Sequence, residues 1–315
     1  MSAAFIPSWP NVEFIRVAAN RINFEIATTG QGDRLALCLH GFPEHAYSWR
    51  YQMPLLARLG YRVWAPNLRG YGGTDSPPDI AAYTTRTLVG DVIGLIKASA
   101  AKEVLLIAHD WGGALAWSVA LIAPEIIQRL IILNLPHPAC FVRELRRPIQ
   151  MAKSWYIFFF QLPWLPEFLL SRGQGRVIAE SIRRTSCHPE RFPDEALEIY
   201  RQNAARPGGL RAMINWYRAA FSYGGLGRTR KGASPPIQTP TLFLWGDRDV
   251  ALSIRTTWGT EKYVSDLTFR VFPGVSHWIQ QEAPGAVNAM IEAWLSGKRV
   301  PEYSEINASG SGVGS

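Results

Sequence analysis

Apolar residues along this chain alternate between two rhythms. Short, nearly unbroken apolar runs occur at LALCLHG (35–41), YRVWAPN (61–67), EVLLIAHD (103–110), RLIILN (129–134), TLFLWG (241–246) and LTFRVFPG (267–274). Strands covered on both faces have that composition. Ahead of them, VEFIRVA (12–18) and INFEIAT (22–28) read as a hairpin. SWRYQMPLLARL (48–59), TTRTLVGDVIGLIKASA (84–100) and GALAWSVALIA (113–123) carry apolar residues at helical spacing, and APGAVNAMIEAWLSG (283–297) supplies a final helix. About eight strands joined by crossover helices predict a mostly parallel α/β sheet with helices on both faces.

One stretch breaks the rhythm. Residues 137–235 are rich in arginine and aromatics, with helical spacing and no convincing strand, which predicts a helical insertion between two sheet strands. Charge sharpens that boundary. The stretch holds 16 Lys and Arg against 7 Asp and Glu, while the whole chain has a net charge of +8, so the remainder is close to neutral. A basic surface suits nucleic acid or an anionic membrane. The runs RELRRP (143–148), RR at 183–184 and RTRKGA (228–233) match no reading motif, however, and a solvated helix face is the simpler expectation, with no nucleic-acid partner. The tail, 301–315, ending NASGSGVGS, has no apolar period and is expected to be disordered.

Composition narrows the class. A chain of 315 residues with 47% hydrophobic and 18% charged content fits a globular core carrying an inserted module. Cys38, Cys140 and Cys187 are far apart and odd in number, which suits a reducing compartment and predicts a cytoplasmic protein. The opening MSAAFIPSWPNVEF has neither a basic region nor a continuous apolar one, so no secretory signal is expected. WYIFFFQLPWLPEFLL (155–170) is short and interrupted by Gln161, Pro163, Pro166 and Glu167, so it should not span a bilayer.

Chemistry gathers at the strand ends. HGFPE (40–44), HDWGG (109–113), WGDRD (245–249) and GVSHW (274–278) each follow one of the apolar runs. In an open parallel sheet the carboxyl ends of the strands face one crevice, so all four should meet there. Asp110 stands between a buried strand and a helix. It is either the N-cap of that helix or a nucleophile on a tight strand-to-helix turn. A nucleophile, then an acid, then a histidine is the chain order of an α/β-hydrolase triad. The acid is open between Asp247 and Asp249. Of the remaining histidines, His40 is expected to hold its loop, and His109 to be structural. No dinucleotide fingerprint, phosphate loop or metal-ligand spacing is present, so neither cofactor nor metal is expected.

The chain resembles an α/β-hydrolase of the epoxide hydrolase branch from about residue 10 to 300, through HGFPE, RGYGGTDSP, HDWGG, NLPHP, SWYIFFFQLPWLPE, NWYR, WGDRD and GVSHW. The elbow of that family usually opens with Gly, where this chain has Ala108. The resemblance implies an eight-stranded sheet in a core of 1–136 and 236–300, with 137–235 a helical cap between strands 6 and 7. It implies that Asp110 is the nucleophile and His277 the base. It selects Asp249, three residues after the strand-end glycine, as the orienting acid. Backbone amides of Phe42 and Trp111 would form the oxyanion hole, and Tyr156 and Tyr217 would protonate the epoxide oxygen.

The expected reaction joins an aspartate ester to the substrate carbon, then hydrolyses it with water activated by histidine. Phe42, Trp111, Trp155, Phe159 and Trp278 are expected to bind the substrate, an apolar epoxide turned into a vicinal diol by a monomer or homodimer. Haloalkane and haloacid dehalogenases, which share the fold and the aspartate, are the nearest alternative. A non-catalytic binding protein with a basic cap is the other.

Overall fold

The computed structural model describes residues 9–224 and 235–310. The hairpin is β1 (Glu13–Ala19) and β2 (Ile22–Thr29), turned by Asn20 and Arg21 at φ 46° and 63°. Two positive φ values in a two-residue loop match the right-handed twist of the flanking strands. β3 (Arg34–Leu39), β4 (Arg62–Pro66), β5 (Glu103–His109), β6 (Arg129–Leu133), β7 (Thr241–Gly246) and β8 (Leu267–Phe272) complete the sheet. Its order is β1-β2-β4-β3-β5-β6-β7-β8. β2 pairs antiparallel with β1 and β4, and every other pairing is parallel.

Alternate side chains of the central strands enter two separate cores. Leu37, Leu39, Leu106, Ala108, Ile132 and Phe243 face one, beneath the helices Thr85–Ala98 and Trp111–Ile122. Cys38, Leu105, Ile107, Ile131 and Leu244 face the other, beneath Met53–Arg58 and Pro284–Leu295. This is why the strands read as continuously apolar: both faces of the sheet are covered.

Between β6 and β7 the described residues form the helices Pro138–Leu145, Pro148–Lys153, Trp155–Phe159, Leu165–Leu170, Arg176–Thr185, Asp194–Ala205 and Gly209–Ser222, with a short 3-10 turn at Pro189–Arg191 and an isolated β-bridge from Ile237 to Val264 just before β7. The insertion is tied down over the strand ends. Asn203 Nδ2 donates to Glu44 O (2.8 Å), Trp216 Nε1 to Arg69 O (3.0 Å) and Lys153 Nζ to Asp249 O (2.6 Å). WYIFFFQLPWLPEFLL is broken into two helices of one to two turns, and no helix among the described residues is long and apolar enough to cross a membrane.

The tail departs from expectation. Tyr303–Gly310 is a helix, although the composition of 301–315 predicted disorder; 311–315 lie outside the described residues. Its anchors are tertiary. Tyr303 packs against Phe272 with the rings tilted (4.8 Å), Glu302 pairs with Arg270 (3.1 Å), and Arg299 forks onto Glu305 (2.9 and 3.0 Å).

Candidate active site

The ends of β3, β5, β6, β7 and β8 lie side by side, because the register pairs Leu39 with Ala108, His109 with Leu133, Leu133 with Leu244, and Gly246 with Phe272. The loops leaving these ends therefore converge. Asp110 occupies the single residue between β5 and its helix, at φ 48° and ψ −123°. It stands at the N-cap position of that helix, with its carbonyl accepting from Ala114 N–H (3.0 Å), but its side chain makes no capping bond and is free for other partners. Strain of this kind in a non-glycine residue persists only where the surroundings enforce it. Here they do: a Cβ on Gly41 would lie 2.4 Å from the Asp110 Cβ, and one on Gly112 would lie 2.4 Å from Leu39 O. Ala108, where the family elbow opens with Gly, is accommodated within the core beneath the elbow helix.

The Asp110 carboxylate is held from two sides. Oδ1 accepts from the Phe42 N–H (2.8 Å), and Oδ2 lies 3.5 Å from His277 Nε2. Trp111 contributes the first residue of the helix that starts here. The other His277 nitrogen, Nδ1, bonds Asp249 Oδ2 at 2.6 Å. Asp249 is fully buried and also accepts from Ala251 N–H and Leu252 N–H (2.8 Å each) and from Asn134 Nδ2 (2.8 Å). Asp247 is instead a turn residue, accepting from Gly274 N–H (2.8 Å).

Electrostatics follow from this geometry. Burial opposes the charge on Asp110, but the His277 ring and the Phe42 amide outweigh it and hold the carboxyl below the usual aspartate range. Asp249 is held low in the same way, against burial, chiefly by His277. Burial also opposes charge on His277, yet Asp249 and Asp110 together keep it protonated well above its ordinary value.

An aromatic wall closes over the carboxylate. Tyr217 meets Phe42, Trp111 and Phe160 edge to face at 5.2, 5.1 and 4.9 Å, and Tyr156 at 5.8 Å. Burial raises the hydroxyls of Tyr156 and Tyr217, and the nearby charge of Asp110 raises them further, so both remain protonated donors. Phe159 packs behind them, half-buried. Trp278 is buried between the His277 ring (4.9 Å) and Thr185, to which its indole donates (3.0 Å). Trp155 does not join the wall. It is 63% exposed, because the helical turn that aims Tyr156 and Phe159 inward leaves it in solvent.

Two polar residues, Asn134 and Glu44, escaped the motif reading, while His109 is structural as expected. Asn134, at φ 41°, bonds Asp249 and both exchanges with Gly246: its Oδ1 accepts from that N–H (2.9 Å) and its Nδ2 donates to that carbonyl (3.4 Å). Glu44 is fully buried; it accepts from Gly41 N–H, Gln280 and Gln281 (2.9, 2.8 and 2.9 Å) and pairs with His109 Nδ1 (2.7 Å). His109 Nε2 meets the carbonyl of His277 at 2.9 Å, so this pair props the histidine loop from below. Their signal was present in NLPHP and HGFPE: polar residues at the ends of wholly apolar strands must be satisfied where they are buried. His40 holds its loop as expected, with Nδ1 donating to Gly41 O (2.9 Å) and Nε2 accepting from Leu68 N–H (3.1 Å). Among the described residues no cluster of three or more His, Cys, Asp or Glu side chains could hold a metal ion.

Similarity to known proteins runs through the same residues. The α/β hydrolase fold family matches residues 37–284. Epoxide hydrolase 4 of Homo sapiens is 37% identical over 292 residues, covering 90% of this chain and 78% of that protein. An epoxide hydrolase from Bacillus megaterium, solved in complex with an inhibitor, superposes with a TM-score of 0.81 at 27% identity, over 90% of this chain and 100% of the other. The Vigna radiata epoxide hydrolase superposes with a TM-score of 0.77 at 31% identity, over 91% and 98%. With its sheet order and strand-end aspartate, this chain belongs to the epoxide hydrolase family of the α/β-hydrolase fold.

Proposed function

We propose that the protein adds water to an apolar epoxide through a covalent ester on Asp110, with 137–235 as the cap over the reaction. One observation carries this reading: a strained carboxylate held between an amide and a histidine, beside the buried Tyr217 and the half-buried Tyr156. Oδ2, the oxygen not bonded to Phe42, attacks an epoxide carbon while the ring C–O bond breaks. Its electrons go to the epoxide oxygen, which takes a proton from the Tyr156 and Tyr217 pair. His277 Nε2 then removes a proton from water, and the hydroxide adds to the Asp110 carbonyl carbon. The amides of Phe42 and Trp111 hold the resulting oxyanion. Collapse breaks the bond between the Asp110 carbonyl carbon and Oδ2, and Oδ2 leaves with the vicinal diol, taking the proton held by His277. The proton of the new carboxyl returns to the tyrosinate, and the carboxylate is restored with the water oxygen in place of Oδ2. Asp249 orients His277 and balances its charge.

Ester formation switches the base on. Asp110 loses its negative charge as it becomes an ester, so one of the two charges holding His277 protonated disappears. The histidine becomes a base at the step that needs one.

The test is intact mass spectrometry of a His277→Gln variant mixed with styrene oxide, followed by peptide mapping. Ring opening should proceed and hydrolysis stall, giving a mass gain of the whole epoxide on Asp110. An adduct formed from a haloalkane with loss of halide, and none from epoxides, would replace this reading with dehalogenation. No adduct from either class would refute the covalent mechanism.

A further inference from the structure

The outer surface of the insertion leaves Trp155, Phe158, Leu162, Trp164, Phe168 and Phe221 in solvent. They are neighbours. Phe158 meets Phe221 at 6.3 Å and Trp164 meets Phe168 at 6.5 Å. Arg218 ties the two pairs together by donating to the carbonyls of Phe160 (3.0 Å) and Leu162 (2.8 Å) and pairing with Glu167 (3.0 Å). Trp164 is the most exposed, at 69%, and sits at φ 51°, a left-handed backbone that bulky residues rarely adopt. The turn thus holds an indole in water. Apolar groups gathered in this way mark an interaction surface.

Charge says what the surface meets. The insertion's 16 basic against 7 acidic residues contrast with a near-neutral remainder, and setting aside Arg228, Arg230 and Lys231 of the undescribed stretch still leaves an excess of six. Exposed Arg172 and Arg211 adjoin the aromatics: Arg172 lies over the Phe168 ring at 5.0 Å, and Arg211 shares an open groove of about 1020 Å³ with Trp164, Phe168, Arg201 and Arg206. Exposed tryptophan and phenylalanine beside arginine is the composition of a face that lies in a lipid headgroup layer. A symmetric contact with a second copy would instead set Arg172 and Arg211 against a patch of their own sign.

We propose that this face docks the protein on an anionic phospholipid bilayer. Trp164, Phe168 and Phe158 enter the headgroup layer, and Arg172 and Arg211 meet lipid phosphates. The helix Trp155–Phe159 presents Phe158 to this face and Tyr156 to Tyr217, so the lipid lies one helix away from the site. An apolar substrate dissolved in the membrane then has a short route to Asp110. Only that last consequence rests on the epoxide reading.

The test is flotation of the full chain with extruded vesicles, scored without turnover. One set is phosphatidylcholine, the other phosphatidylcholine with about one third phosphatidylglycerol. Binding is expected to the anionic vesicles and to weaken as salt rises to about 0.5 M. Arg172→Gln and Arg211→Gln should each weaken it about fivefold. Trp164→Ser with Phe168→Ser should weaken it about tenfold or more while leaving the melting temperature unchanged, since both side chains are exposed. No binding to anionic vesicles at low salt, or equal binding to both sets, would overturn the proposal. So would a dimer, seen by sedimentation velocity without vesicle binding, that the serine variant dissociates. That result would assign the face to a second copy.

Discussion

Asp110 stands at φ 48° because the chain leaves β5 and enters a helix within one residue, while Gly41 and Gly112 clear space that a Cβ would fill. In the proposed reaction this bonded carboxylate is the nucleophile, and its pKa is held below the usual aspartate range. His277 behaves oppositely, since it must be deprotonated to work and is held protonated while Asp110 is charged. The two half-reactions should therefore separate with pH. In single-turnover runs, ester formation should stay level from about pH 8 to pH 5, while ester breakdown falls about tenfold per unit below the histidine's pKa in the ester. Equal pH dependence of both steps would rule out this division. In the proposed reaction the two tyrosines share the burden of ring opening. Tyr156→Phe or Tyr217→Phe alone should slow ester formation about tenfold, and the double variant by about 10²–10⁴. Mass spectrometry in the His277→Gln background measures this directly, and a double variant that forms ester at the parent rate would remove the tyrosines from the mechanism.

At the scale of elements, the strands were legible because burial on both faces writes itself as unbroken apolar runs. The tail helix was not legible, because Tyr303 and Glu302 gain their value from Phe272 and Arg270, far back in the chain, rather than from any local period. Ending the chain after Val300 should remove about 2–4 kcal/mol of stability and lower the melting temperature by about 5 °C or more, with kcat retained. An unchanged melting temperature would show that the helix is only an appendage. The insertion's helices were legible as helices, yet their service to the site was not. Gln150 donates to Ala251 O (2.9 Å) and accepts from Ser253 N–H (2.8 Å), and Lys153 reaches Asp249 O, so one short helix grips the loop that carries the triad acid. Trp155 was misplaced for a related reason. Aromatic spacing marks a helix, but only packing decides which side of so short a helix faces inward.

For the whole molecule, histidine burial sets the pH range of stability. Burial lowers His40 to about 4, His45 to about 3 and His137 to about 4, below the usual 6.5. Between those values and 6.5 the unfolded chain binds protons that the folded chain refuses, so stability is lost as pH falls, by up to about 1.4 kcal/mol per unit for each histidine. His277 acts in the opposite sense: its raised value stabilises fully below 6.5 and is lost as pH rises through it. Melting temperature should peak near neutrality and fall steadily from about pH 6.5 to pH 4.5, and His137→Phe should reduce that slope by about a third. A flat acid limb would contradict neutral burial of these rings. The sequence by itself determined the strands, the basic helical insertion and the chemistry-bearing motifs, because periodicity, charge and residue type are local properties. Only the tertiary structure decided which carboxylate meets His277, that the Asp110 side chain turns to Phe42 and His277 and not to its own helix, that Glu44, His109 and Asn134 brace the site, and which aromatics are left in water. Those outcomes depend on register and approach between segments distant in the chain, as with Asn134 and Asp249, 115 residues apart, or His109 and His277, 168 apart.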